Sequence, residues 1–215
     1  MPHRNRVDPF GALIATAARG AWYGNRGCLH DRHGRITDRK PPVDQWIICV
    51  LAFKNRRRKL LQPGRFTELF FLDEATGLAA GHRPCGECRH ADLRRFGAAW
   101  PGRWARGFAL AREMDEVMKR ERVAKESAAR RRWLDPERPP ADGLIFMRDG
   151  EPRRAILAAR GRLWAWTPFG YEGPLPWDRR DQATLLTPPS TAAAIENGYR
   201  PQIHPAALAS PGRMG

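Results

Sequence analysis

The chain has little lysine and no long apolar run. Of its 38 basic residues five are Lys, which leaves 33 Arg. No stretch approaches the roughly 20 apolar residues of a membrane-spanning helix. The longest, from Trp46 to Phe53, is the length of a strand. There is no internal repeat, and 19 prolines with 20 glycines exclude a long helical rod. Disorder is excluded in turn, since 42% of the residues are hydrophobic and 9% aromatic. The N-terminal part shows no basic amphipathic helix, which argues against a membrane-surface partner.

Residues Phe10 to Ala18 (FGALIATAA) follow Arg4 and Arg6 and superficially resemble a secretion signal. Gly11 and Thr16 interrupt the stretch, and Asp8 precedes it. A capped helix over residues 8 to 19, with Asp8 at the N-cap and Pro9 at the first helical position, explains the pattern better. A cytoplasmic protein is therefore expected. Its four cysteines, Cys28, Cys49, Cys85 and Cys88, are then thiols or metal ligands rather than disulfides.

What the chain does have is positive charge, and it is unevenly spread. The net charge is +15. Residues 1 to 65 hold 14 basic against 4 acidic side chains, a net +10. Part of the Arg, Ala, Gly and Pro richness fits a GC-rich genome, and the chain reads as bacterial. The concentration at one end points instead to a polyanionic partner, nucleic acid foremost.

The pattern of elements predicts an α+β protein. A strand is expected over residues 45 to 53, a short partner strand over 59 to 62 and a strand over 67 to 72. A helix over 73 to 80 starts at Asp73 as N-cap and stops at Gly81. Helices over 89 to 100 and 106 to 133 follow. After a linker at 134 to 142, three strands (143 to 148, 153 to 158, 162 to 167) are separated by Asp149-Gly150 and Arg160-Gly161. A last helix over 190 to 197 is capped by Ser190. The expected organisation is a zinc-stabilised antiparallel sheet with flanking helices over 1–133, a β-rich lobe over 143–200, and a loose tail over 201–215.

The sharpest chemical feature is Arg83-Pro-Cys-Gly-Glu-Cys88. Two cysteines at this spacing reach one zinc ion at about 2.3 Å each. The helix that follows points its amides at the thiolates and favours their anionic form. A redox pair of thioredoxin type is a rival, but it follows a strand and carries an aromatic before its first Cys; here Gly81-His82-Arg83-Pro84 precedes. Two unmetallated thiols are the plain alternative.

The stretch from Phe70 through Gly81-His-Arg-Pro-Cys-Gly-Glu-Cys88 resembles the C-terminal half of the Ada-type zinc-binding domain, over residues 66 to 96. The resemblance implies zinc held by four ligands, with Cys85 and Cys88 as the second pair. The first pair departs from the family, which places two cysteines shortly before the strand. Here the nearest counterpart is Cys28-Leu-His30. A site of Cys28, His30, Cys85 and Cys88 around one structural zinc is chemically sensible. His33, His82 and His90 compete for a place in it. Cys49, on a hydrophobic strand with Ile47 and Leu51, reads as plain core.

The resemblance also brings to mind methyl transfer from a DNA phosphotriester to a zinc thiolate. The full first cysteine pair is missing, and neither a helix-turn-helix signature nor a Pro-Cys-His-Arg site follows. Asn25, His30, Asp31 and His33 crowd one loop, and Glu68 and Asp73 flank a strand, but their spacing matches no metal-nuclease pattern. Turn polars and solvated charges explain them.

Arg56, Arg57, Arg58, Lys59 and Arg65 surround one turn, with Phe53 and Phe66 nearby, and Arg89 follows the knuckle. Such side chains bind phosphates, and bases would stack on Trp22 or Tyr23. The expected function is zinc-supported nucleic-acid binding, non-catalytic or weakly catalytic. A DNA-processing enzyme, nuclease or repair, is the second reading, and a structural or protein-interaction module is the third.

Overall fold

The computed structural model describes residues 1–37, 40–55, 59–124, 128–177 and 180–208. In chain order it contains β1 (Arg6–Val7), β2 (Leu13–Ile14), β3 (Trp22–Asn25), β4 (Ile47–Cys49), β5 (Leu69–Phe71), α1 (Glu74–Ala79), β6 (Arg83–Pro84), α2 (His90–Ala99) and α3 (Ala111–Val123). There follow β7 (Arg131–Leu134), β8 (Ile145–Arg148), β9 (Ile156–Ala159), β10 (Arg162–Thr167), β11 (Gly170–Glu172), β12 (Asp181–Leu185) and α4 (Pro189–Glu196). The α+β class is as the pattern predicts.

The strands form two sheets, ordered β2-β1-β5-β3-β4-β6 and β11-β10-β9-β8-β12-β7. The second is antiparallel throughout. The first corrects the expectation of an antiparallel sheet: β1 lies parallel to β5, and β4 lies parallel to β6. The β4–β6 pairing matters most, because each of these strands ends on a cysteine or just before one.

Helix α1 is short and every residue in it is buried. Its N-cap is Asp73, whose carboxylate accepts from the Thr76 amide at 2.8 Å. Gly77 lets the helix lie against β4: a Cβ there would stand 2.7 Å from Ile48 Cδ1. Leu78 of α1 enters a core with Ile48, Phe71 and Phe96. Ala75 and Ala79 enter a cluster with Ile145, Leu157 and Trp164 of the second sheet. Both clusters thus draw on the two expected units, and α1 is the piece that joins them.

Three local readings are overturned. Residues 8 to 19 are not helical. The Asp8 side chain accepts from the Ala12 amide at 2.8 Å and closes a turn between β1 and β2, which pair through Val7 and Leu13. A short acidic side chain competes for backbone amides in a turn as readily as at a helix start. The helix expected over 106 to 133 spans only Ala111–Val123, and Arg131–Leu134 becomes a strand on β12. Residues 59 to 62 form no strand; Leu61 is buried and its amide donates to Glu68 Oε2 at 2.8 Å.

The segment expected as a loose tail is docked as far as residue 208. The His204 amide donates to Asp73 Oδ2 at 3.0 Å, the Gln202 amide donates to Glu74 Oε2 at 3.0 Å, and Ile203 and Ala207 are buried. It covers the start of α1. Residues 209–215 lie outside the described residues.

His82, just after α1, is fully buried. Its Nε2 accepts from Arg26 Nε at 3.1 Å, and its Nδ1 donates to the Gly77 carbonyl at 3.2 Å. This fixes a neutral ring, and burial beside Arg26 and Arg122 depresses its pKa well below 6.5. The unfolded chain takes up the proton near pH 6.5 while the folded chain does not. Stability from this group is therefore complete above pH 6.5 and falls by about 1.4 kcal/mol per pH unit below it. Urea unfolding of the wild type and His82→Gln between about pH 7 and pH 5 should show a shallower decline in the variant; equal declines would remove His82 as the cause.

Candidate metal centre

The register of β4 against β6 aligns Ile47 with Arg83 and Ile48 with Pro84. One residue further on, Cys49 and Cys85 come side by side. The Cys85 amide donates to the Ile48 carbonyl at 2.9 Å and holds that position. The chain then turns tightly, the Arg89 amide reaching the Cys85 carbonyl at 3.2 Å, and returns Cys88 to the same place. The Sγ atoms of Cys49, Cys85 and Cys88 all lie within 4.8 Å of one another, and the three could hold a metal ion.

The surrounding backbone suits anionic sulfur. The Glu87 amide donates to Cys85 Sγ at 3.4 Å. The Cys88 amide also points at Cys85 Sγ, and the Val50 amide at Cys88 Sγ. Within the trio, the Cys85 thiol is held far below the ordinary range because Cys49, and then Cys88, donates to it. Cys49 is pushed far up as the donor to Cys85 and Cys88. Cys88 is raised as well, so the three sulfurs share their protons and Cys85 carries the charge; a thiophilic cation would displace the remaining protons.

The thiols open into a cavity of about 250 Å³. Its wall is aromatic: Tyr23, Phe53, Phe66 and Phe70 line it, with ring centroids of Tyr23 at 6.3 Å from Phe66 and 6.0 Å from Phe70. Glu68, Asn25 and Glu87 are its polar lining. Residues 50 to 66 supply Val50, Leu51, Phe53, Leu60 and Phe66 to this wall. The same segment exposes Lys54, Lys59 and Arg65. The Lys54 ammonium sits 5.1 Å from the Phe53 ring centroid.

Of the four ligands expected, Cys85 and Cys88 come together and Cys28 and His30 do not join them. His30 is buried, with Nδ1 at 2.7 Å from Thr67 Oγ1 and Nε2 at 3.0 Å from the Gln62 carbonyl. Both ring nitrogens are occupied in stitching two loops together. Cys28 Sγ lies 3.5 Å from the His30 carbonyl, a local turn contact. Among the described residues the metal-competent group takes Cys49 in their place. The signal missed was a cysteine at the end of a strand, whose partner strand could not be told from sequence.

Of the expected phosphate-binding residues, Arg56, Arg57 and Arg58 lie outside the described residues, while Lys59 and Arg65 are exposed. Arg89 is corrected: it is 4% exposed, ion-paired to Glu74 at 2.7 Å and to Asp92 at 2.8 Å. It also covers the Trp22 ring, its guanidinium carbon 4.1 Å from the centroid. Trp22 is thus no open stacking platform, and its indole donates to Gln202. Asp73, weighed as a nuclease acid, accepts from Thr76, Tyr171 and His204 and serves the fold.

No helix among the described residues is long and apolar enough to cross a membrane. Comparison with family models, with curated proteins and with solved structures finds no match.

Proposed function

We propose that the chain is a zinc protein that binds nucleic acid, with zinc held by Cys49, Cys85 and Cys88. The observation that carries the metal is the convergence of three Sγ atoms within 4.8 Å. Three thiolates of a tetrahedral zinc stand roughly 3.8 Å apart for bonds of about 2.3 Å, so little movement is needed. An all-sulfur donor set selects zinc over the hard cations. The resemblance of residues 66 to 96 to an Ada-type zinc domain supports the same reading.

Nucleic acid is favoured by what adjoins the metal. The segment that walls the cavity presents Lys54, Lys59 and Arg65 to solvent beside Phe53 and Phe66, within a stretch of net charge +10. Cations track phosphates while aromatic rings accept an unstacked base. Binding to a single-stranded oligonucleotide should weaken steeply with salt, and Lys59→Gln with Arg65→Gln should flatten the log–log slope by up to about 1.4 (about 0.7 per lost contact). The exposed pair Arg103→Gln with Arg112→Gln removes the same charge elsewhere. Equal loss from both pairs would dismiss the cavity rim as the site.

A second reading rests on one further observation, that the three thiols open into a cavity. Zinc with three protein ligands keeps a fourth position for water or substrate and acts there as a Lewis acid. A nucleic-acid-processing enzyme is then the alternative, and strand scission lost in Cys85→Ser would favour it.

A further inference from the structure

A second cavity, of about 790 Å³, shares no lining residue with the first. Four arginines line it: Arg122, Arg130, Arg131 and Arg153. The one acidic lining residue, Glu151, is paired to Arg148 at 3.1 Å. Among the described residues none of the four arginines makes an ion pair with a carboxylate. Arg130 is 4% exposed, and among the described residues its guanidinium donates to carbonyls, those of Leu185, Leu186, Glu121 and Ala124. Arg122 likewise donates to the Gly81 and Asp44 carbonyls.

A fifth arginine stands behind the wall. Arg26 is 4% exposed; Nε donates to the neutral His82 ring and Nη1 to the Gly11 carbonyl at 2.8 Å. Its Nη2 is buried without a partner. Gly11 lines the cavity, and a Cβ there would begin 3.8 Å from Nη2. The backbone at Gly11 has φ +84°, which glycine adopts without strain. Asp8 is the nearest offset to Arg26 and Arg153, but its carboxylate is engaged by the Ala12 amide. Glu121 acts on Arg130 and Asp115 and Asp44 act on Arg122 at longer range, and a ligand anion in direct contact would offset the cost of burying these cations further.

Trp46 completes the site. It lines the cavity with two guanidiniums against its ring, Arg26 at 4.2 Å and Arg122 at 4.4 Å from the centroid, and so holds these cations at the wall. Phe10 and Met147 add apolar wall. The volume is that of a ligand of drug or nucleotide size.

We propose that this cavity binds a phosphate-bearing small molecule of nucleotide size, its phosphate held by the arginines and its remainder against the apolar wall of Met147, Leu185 and Leu186. The excess of arginine over acid selects a dianion, and the guanidinium fork matches phosphate oxygens. The site is independent of the metal and of the nucleic-acid reading.

The test is calorimetry on the full chain at low salt, with AMP and adenosine as probes. AMP should bind and raise the melting temperature, whereas adenosine should do neither. Arg131 and Arg153 are exposed at the cavity, so Arg131→Gln with Arg153→Gln should fold and bind AMP at least about tenfold more weakly. Lys59→Gln with Arg65→Gln should bind AMP as the wild type does, which separates this cavity from the proposed nucleic-acid rim. Three results would overturn the proposal: no heat and no thermal shift with about 5 mM AMP, adenosine binding as well as AMP, or undiminished AMP binding in the Arg131/Arg153 double variant. Should that variant melt early, the comparison of AMP with adenosine on the unaltered chain decides alone.

Discussion

With zinc held as proposed by Cys49, Cys85 and Cys88, Cys49→Ala should strip the metal from the protein and Cys28→Ala should not. Cys49 supplies one of three sulfurs in the centre, while Cys28 touches only the carbonyl of its own turn. Loss of one thiolate from three leaves a two-sulfur chelate, and metal affinity should fall by at least about 100-fold. Because the ligands must be anionic and assembled by folding, metal loss is also stability loss. Here the cost should fall mainly on β4, β6 and the knuckle, since the remaining core is apolar and packs without the metal. Cobalt titration reads the result directly through the thiolate-to-metal absorption. Cys49→Ala and Cys85→Ser should lose that band, whereas Cys28→Ala and His30→Ala should retain it. A band that survives Cys49→Ala but is lost in Cys28→Ala and His30→Ala would return the first ligand pair to Cys28 and His30.

Glu74→Ala should cost roughly 3–5 kcal/mol of stability, because it leaves the buried Arg89 with Asp92 alone and removes the acceptor of the Tyr199 hydroxyl and the Gln202 amide. Glu74 is 2% exposed and accepts from Arg89 at 2.7 Å, from the Tyr199 hydroxyl and from the Gln202 amide at 3.0 Å. Burial, and then the Glu74 charge, push the Tyr199 hydroxyl well above its ordinary pKa, so it stays a donor. One carboxylate therefore ties α1 to the residue after Cys88, to the chain after α4 and to the segment at 202. The same change should loosen the metal, because Arg89 loses the contact that fixes the end of the knuckle. Urea unfolding with and without added zinc measures both effects. A loss under about 1 kcal/mol, with unchanged metal affinity, would show that the pair with Asp92 alone suffices for Arg89.

The elements legible in the sequence are those set by local chemistry. Asp73 caps α1, and the strand over residues 162 to 167 emerges with the bounds its pattern predicts. The Arg-Pro-Cys-x-x-Cys knuckle closes as a metal-competent turn for the same reason: its geometry is contained within six residues. What was illegible depended on partners far along the chain. Cys49 looks like core until β6 lies parallel to β4 and brings Cys85 beside it. His30 looks like a ligand until Thr67 and Gln62 take both nitrogens. Arg89 looks like a phosphate anchor until Glu74, 15 residues earlier, pairs with it in the interior. Asp8 and Pro9 carry a helix-start signature that a two-strand turn satisfies equally well. Residues 131 to 133 read as the end of a helix because alternating exposure on an edge strand leaves little apolar pattern.

The central claim is a zinc centre built from Cys49, Cys85 and Cys88, and X-ray absorption at the zinc edge tests it most directly. Untagged protein expressed with ample zinc should carry about one zinc per chain, with sulfur scatterers at about 2.3 Å from at least three thiolates and no imidazole shell. In Cys49→Ala the sulfur count should drop by one or the metal should be absent. Less than about 0.2 zinc per chain, or a first shell that contains a histidine nitrogen and survives Cys49→Ala intact, would contradict the account.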